Sequence, residues 1–140
     1  MTEQKMEGGC LCGAIRYEIT GAPMMTAVCH CSLCRRASTV SSMAWAMFRK
    51  HQVSFLGVRP ATYASSTDGR RSFCPACGTQ IGLTASHIPG LIDITIGSLD
   101  HPEMIRPTLH YWGTRRVPWI QYAYSVPNVP QPEPAEEVQG

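Results

Sequence analysis

Seven cysteines stand in three tight clusters along 140 residues, and none stands alone: Cys10-Leu11-Cys12, Cys29-His30-Cys31-Ser32-Leu33-Cys34 and Cys74-Pro75-Ala76-Cys77. Thiols one or two residues apart can reach a single ion while the backbone turns between them, which is how tetrahedral zinc is held. The count divides as four plus three. Four sulfurs close one site, three leave another short of a ligand, and zinc sites that do chemistry keep a position open. The clusters also lie far apart in sequence, so an ion shared between two of them restricts the fold more than any local pattern does.

An odd number of cysteines argues against a disulfide framework. The N-terminus, Met1-Thr2-Glu3-Gln4-Lys5 leading to Gly8-Gly9, lacks the pattern of a secretory signal. The expected compartment is a reducing cytoplasm, where clustered cysteines act as metal ligands. No apolar run is long enough to span a bilayer, so no membrane partner is expected. Two zinc ions and seven thiolates together lower the formal charge of +2 by three, to −1. No general electrostatic case for nucleic-acid binding follows.

The length suits one domain. Twelve glycines and eleven prolines favour turns and short strands over long helices. Residues 14–20 alternate apolar and polar and read as a strand after a tight Cys-Gly turn. Further strands are expected at 24–28, 42–48, 53–56, 62–64, 70–73, 80–84, 91–96 and 108–112. A short helix is expected over 32–38, with Ser32 as its cap. The fold class is therefore mostly β, built of small antiparallel sheets with few helical turns. Folded structure is expected over 7–124. Residues 125–140, rich in proline and glutamate with almost no large apolar side chains, cannot offset their ordering entropy and read as a disordered tail.

Cys10, Cys12, Cys74 and Cys77 read as one structural zinc site. Each pair has a trailing glycine, Gly13 or Gly78, that lets amide N–H groups point at the sulfurs, and Pro75 stiffens the second turn. One ion would pin the N-terminal strand to the central hairpin. The competing reading of a C-x-x-C pair is a redox dithiol, which calls for a βαβ setting that this sequence lacks.

Cys29, Cys31 and Cys34 place three sulfurs within six residues, and no fourth ligand is obvious. His30 should point away from its flanking cysteines if the segment is extended. His51, His87, His101 and His110 remain as candidates to close a second structural site. The alternative is a zinc with an exchangeable fourth position. Three thiolates make such an ion a poor Lewis acid and a good holder of a soft ligand such as a substrate thiol. Either Arg35 or Arg36 could offset the anionic cluster or grip a substrate carboxylate in a forked pair; the alternative is a solvated helix face. Trp45 and Trp119 read as packing. His110 and Trp112, two apart, should share one strand face, His110 as a proton donor or a structural histidine and Trp112 as a substrate wall or core.

These motifs resemble the glutathione-dependent formaldehyde-activating (GFA) family, which includes the centromere protein V group. The resemblance runs from about Gly8 to Ile120. It rests on Gly8-Gly9-Cys10-Leu11-Cys12-Gly13-Ala14-Ile15-Arg16-Tyr17, on Cys29-His30-Cys31-Ser32-Leu33-Cys34-Arg35-Arg36 and on Phe73-Cys74-Pro75-Ala76-Cys77-Gly78-Thr79. Gly97-Ser98-Leu99-Asp100, His110-Tyr111-Trp112 and Pro118-Trp119 follow in order. The resemblance implies a zinc-tied stack of small antiparallel sheets, a β-tent. It implies a structural zinc on Cys10, Cys12, Cys74 and Cys77 and a catalytic zinc on Cys29, Cys31 and Cys34; because the sulfurs of the second come from one contiguous stretch, that zinc is expected to be the weaker. The implied reaction joins glutathione and formaldehyde into S-(hydroxymethyl)glutathione, and run backwards it is a carbon–sulfur lyase. The implied partner is a small-molecule thiol such as glutathione; the oligomeric state is left open. A non-catalytic zinc module for a protein partner, or for storing metal or thiol, is the competing class. Thr39 stands where the family usually has glycine, and should narrow or reshape the mouth of the second site.

Overall fold

The computed structural model describes residues 4–122 and Pro127, so most of the expected tail lies outside the described residues. The elements in order are β1 (Lys5–Gly9), β2 (Ile15–Thr20), β3 (Met25–Cys29), α1 (Ser32–Ser38), β4 (Met43–Arg49), β5 (Val53–Gly57), β6 (Ala61–Ala64), β7 (Gly69–Phe73), β8 (Gln80–Ala85), β9 (Leu91–Thr95) and β10 (Leu109–Tyr111). A three-stranded sheet runs β1-β2-β5, and a seven-stranded sheet runs β10-β3-β4-β9-β8-β7-β6. The expected mostly-β, antiparallel class holds with one exception: β10 lies parallel to β3, pairing His110 with Val28 and Tyr111 with Cys29.

Strand alternation divides the seven-stranded sheet into two working faces. On β4, Ala46 and Phe48 join Ile92 and Ile94 of β9 in the main core, while Trp45 turns to the other side. The main core is closed by the three-stranded sheet, which contributes Met6, Ile15, Tyr17 and Ile19. Each isoleucine or phenylalanine buried there contributes about 1.5–3 kcal/mol. The β7–β8 register shifts at Ser72/Phe73, where Phe73 pairs with Gln80 and Ser72 with Gly82. Ile81 is the extra residue, and it turns into the main core. The opposite face of the same sheet carries α1 and the second cysteine cluster.

Two family-motif segments meet at the sheet junction. Tyr17 Oη and Ser98 Oγ share a 2.6 Å hydrogen bond, and the Arg16 guanidinium forks onto both carboxylate oxygens of Asp100 at 2.9 and 2.5 Å. Gly8, paired with Tyr17 across β1 and β2, has no room for a Cβ, which would meet the Tyr17 ring and the Ser98 carbonyl.

Several expectations need correction. β1 begins at Lys5, ahead of the expected start of the fold; its two glycines and single buried apolar side chain, Met6, hide it from periodicity. The cap of α1 is Cys31, whose sulfur accepts from the Cys34 amide, and Ser32 is the first helical residue. Trp119 is 74% exposed and packs in no core. β10 stops at Tyr111 because Trp112 takes a left-handed conformation, φ 55° and ψ 43°. Trp112 therefore leaves the face of His110 and packs beside Cys29, Cys31, Cys34 and Trp45.

Candidate metal centres and the adjoining cavity

The sulfurs of Cys10, Cys12, Cys74 and Cys77 all lie within 4.8 Å of one another. Cys10 and Cys12 are 3.6 Å apart, and Cys12 and Cys74 are 3.8 Å apart. Four sulfurs bound tetrahedrally at zinc–sulfur distance stand about 3.8 Å from each other, so the residues present fit that ion. Each half of the site is a tight turn. Gly13 N–H donates to the Cys10 carbonyl at 3.1 Å, and Gly78 N–H to the Cys74 carbonyl at 2.8 Å. Both glycines sit at positive φ, 82° and 81°, which a side chain would resist. With the turns formed, amide groups aim at sulfur: Ile15 N–H at Cys10 (3.2 Å), and Ala76 and Cys77 N–H at Cys74 (3.4 Å each). Thr79 links the halves. Its hydroxyl accepts from Leu11 N–H at 3.0 Å and lies 3.2 Å from the Cys77 sulfur, and its hydroxyl and backbone bonds hold that thiol down at about 5.

Cys29, Cys31 and Cys34 form the second cluster, also within 4.8 Å of one another and all buried. Cys29 ends β3, Cys31 caps α1, and Cys34 lies in the first helical turn. Hydrogen bonds from Cys29 and Cys31, and then Arg71, hold the Cys34 thiol well below the ordinary range. The two neighbouring sulfurs and burial push Cys29 far up. One thiolate is thus readily formed here, and an incoming cation must displace the remaining protons. Among the described residues no histidine or carboxylate joins the three sulfurs.

A cavity of about 430 Å³ opens between α1 and the β6–β8 end of the seven-stranded sheet, walled by Leu33, Arg36, Ala37, Tyr63, Arg71 and Phe73. Cross-strand register runs Tyr63, Arg71, Leu83, Asp93, Met47 on one row. That row places Arg71 beneath α1, where it is only 4% exposed. Its Nε donates to Ser65 Oγ at 3.0 Å and its Nη2 to the Cys34 sulfur at 3.6 Å. Burial, with the negative charge of Cys34, pushes the Asp93 carboxyl up to about 7 against the pull of Arg71.

Residues 5–115 match the family model for the glutathione-dependent formaldehyde-activating enzyme. The chain belongs to this family. A curated relative, an uncharacterized lyase of Schizosaccharomyces pombe, is 36% identical over 75 residues, 54% of this chain and 54% of its own length. The chain thus spans about half the length of that relative. A crystal structure of a Rhodobacter sphaeroides protein superposes with a TM-score of 0.58 at 20% identity, covering 89% of this chain and 100% of that one, which establishes a shared fold.

In this GFA family member the other sequence-predicted residues are placed as follows. Arg36 lines the cavity, whereas Arg35, half-buried on α1, is not part of its wall. His30 points away from the flanking cysteines: its Nε2 lies 2.8 Å from His110 Nδ1. Arg116 Nη2 donates to His110 Nε2 at 3.0 Å, so Nδ1 of His110 carries the proton given to His30. Burial lowers both imidazoles, His30 to about 4, and they stand neutral at pH 7. By register His110 shares the face of Val28, opposite to that of Cys29. His51, His87 and His101 are exposed and join neither cluster. Arg71, Asp93 and Thr79 went unassigned in the sequence reading. Arg71 and Asp93 need the cross-strand register to be seen beside Cys34, while Thr79 could have been found from its place directly after the Cys-x-x-Cys-Gly turn.

Proposed function

We propose that the chain is a zinc-dependent carbon–sulfur lyase or synthase that handles the aldehyde adduct of glutathione or a similar thiol. The observation that carries this reading is the buried three-sulfur cluster beside an open cavity, with no fourth protein ligand among the described residues. Family membership and the lyase name of the fission-yeast relative support it. Cys10, Cys12, Cys74 and Cys77 hold a structural zinc in this reading, and Cys29, Cys31 and Cys34 hold a second. The second ion, when bound, supplies charge that favours the deprotonated form of a substrate thiol. Leu33 and Phe73 give that molecule an apolar wall, and Arg36 at the rim takes a carboxylate. The substrate sulfur attacks the aldehyde carbon, a carbon–sulfur bond forms, and the carbonyl electron pair moves onto oxygen, which then gains a proton. Run backwards, the same steps release thiol and aldehyde. His110, with both ring nitrogens engaged on the other sheet face, takes no part. A reducing cytoplasm suits both the free thiolates and the substrate.

The test is exchange spectroscopy on carbon-13 formaldehyde and glutathione with the zinc-loaded protein. Interconversion of free aldehyde and hydroxymethyl thioether should run faster than the spontaneous rate, and Cys34→Ser should return it to that rate. A fully zinc-loaded protein that leaves the rate unchanged, for this pair and for larger aldehydes, favours the non-catalytic zinc module instead.

A further inference from the structure

The guanidinium of Arg71 is incompletely used. Nε is held by Ser65 and Nη2 by the Cys34 sulfur, yet Nη1 is buried with no hydrogen-bond partner among the described residues. Burying an unpartnered charged donor is costly, and a residue serving only as counter-charge to the thiolates has no reason to retain one. Arg71 is also part of the cavity wall. The wall contains a second cation, Arg36, and no carboxylate; Tyr63, Ser65 and Gln80 are its other polar members. Asp93 is near enough to moderate the charge, but it is not part of that wall. A volume of about 430 Å³ falls in the range of small-molecule sites and exceeds what formaldehyde alone needs.

We propose that Arg71 binds the substrate oxygen lying two or three bonds from the reacting sulfur, so that the cavity selects thiol adducts with an oxygen anion at that place. The proposal rests on the thiol-enzyme reading above and adds to it the group that recognises the reacting end of the molecule. One arm of the guanidinium touches Cys34, so a sulfur bound at the cluster brings its neighbouring atoms toward the other arm. When thiolate sulfur attacks the carbonyl carbon, the carbonyl π pair becomes an oxygen lone pair, and Nη1–H is placed to stabilise it until water in the open cavity supplies the proton. A carboxylate attached to the same carbon would be held by the same donor in the ground state. Arg36, further out and exposed, addresses the distal end.

Calorimetry on the zinc-loaded protein tests this with two probes: mercaptoacetate, whose carboxylate sits one carbon from sulfur, and 2-mercaptoethanol, which has a neutral hydroxyl. Wild type should bind mercaptoacetate at least tenfold more tightly. Arg71→Lys keeps the charge beside Cys34 but loses the fork; it should abolish most of that preference while zinc content and mercaptoethanol affinity stay within twofold. Loss of zinc, or equal weakening of both thiols, would mean that Arg71 acts only through the cluster, and the proposal would fall. Ala37→Phe fills the cavity from α1 while leaving Arg71 and the cysteines unsubstituted, and it decides the matter if the lysine variant does not fold. Glutathione binding should drop at least tenfold; unchanged binding places the substrate elsewhere and overturns the proposal. Failure of zinc-loaded wild type to bind any thiol removes the thiol-enzyme reading and this proposal together. Normal thiol binding with no preference between the probes removes this proposal alone.

Discussion

Thr39 shows how much one residue can reveal once its backbone is known. It caps the C-terminal end of α1 at φ 51° and ψ 41°, a left-handed conformation in which a β-branched side chain is strained. The glycine usual in the family at this place is therefore a helix terminator. Thr39 lines a recess beside Cys77 and Gly78 that adjoins the cavity through Ala37 and Gln80, and it is not part of the wall that contains Arg71. Thr39→Gly should stabilise the protein by about 1 kcal/mol, raising the melting temperature by roughly 4 °C. Thiol affinity should be unaltered. A thermal melt paired with a thiol titration checks both halves; a lower melting temperature would show that the Thr39 hydroxyl bond to the Ser38 carbonyl outweighs the strain. The cysteines were legible from spacing alone because a metal site written in one turn is a local property. Arg71 was not, because an arginine on a strand reads as solvent-facing until a helix is known to cover it.

At the scale of the element, α1 and the second cluster are one unit. Cys31 is both a member of the sulfur cluster and the helix cap, its sulfur accepting from Cys34 N–H at 3.3 Å. A serine in its place can still accept that bond, whereas an alanine cannot. Cys31→Ser should therefore lose the second zinc and keep α1, with the fold intact. Cys31→Ala should lose the same zinc and a further ~1 kcal/mol through the missing cap. Metal analysis with thermal denaturation separates the two effects. Equal melting temperatures for the two variants would remove the capping role, and global unfolding of the serine variant would make this cluster structural. The helix was legible over the whole of its length, and β4 was legible to within one residue from its run of apolar side chains. β1 was lost among glycines, and the end of β10 depends on a left-handed residue that no apolar pattern announces.

Across the whole molecule the first cluster behaves differently, because its two halves lie 62 residues apart. A metal ion held by all four sulfurs would fasten the turn between β1 and β2, in the three-stranded sheet, to the turn after β7, in the seven-stranded sheet. Spacing predicted this long-range tie; which sheets it joins became visible only with the strand order. The main core depends on those two sheets staying face to face, so the tie and the core reinforce each other. Binding of a structural zinc is worth about 10–16 kcal/mol in small metal domains, as much as or more than the roughly 5–15 kcal/mol by which a domain of this kind is stable. Removal of that ion should therefore unfold the chain, whereas removal from Cys29, Cys31 and Cys34 frees only a local loop. Titration of the zinc-loaded protein with a strong chelator should accordingly proceed in two stages. One equivalent of zinc should leave first with near-ultraviolet circular dichroism changed only around Trp45 and Trp112, which pack on the second cluster. The second equivalent should leave with cooperative loss of the whole spectrum. Cys74→Ser should start in the unfolded or aggregated state, and Cys31→Ser should show the second stage alone. If Cys74→Ser melts at the wild-type temperature, or if both equivalents leave without unfolding, the two sheets are held by the apolar core alone and the first cluster has no structural role.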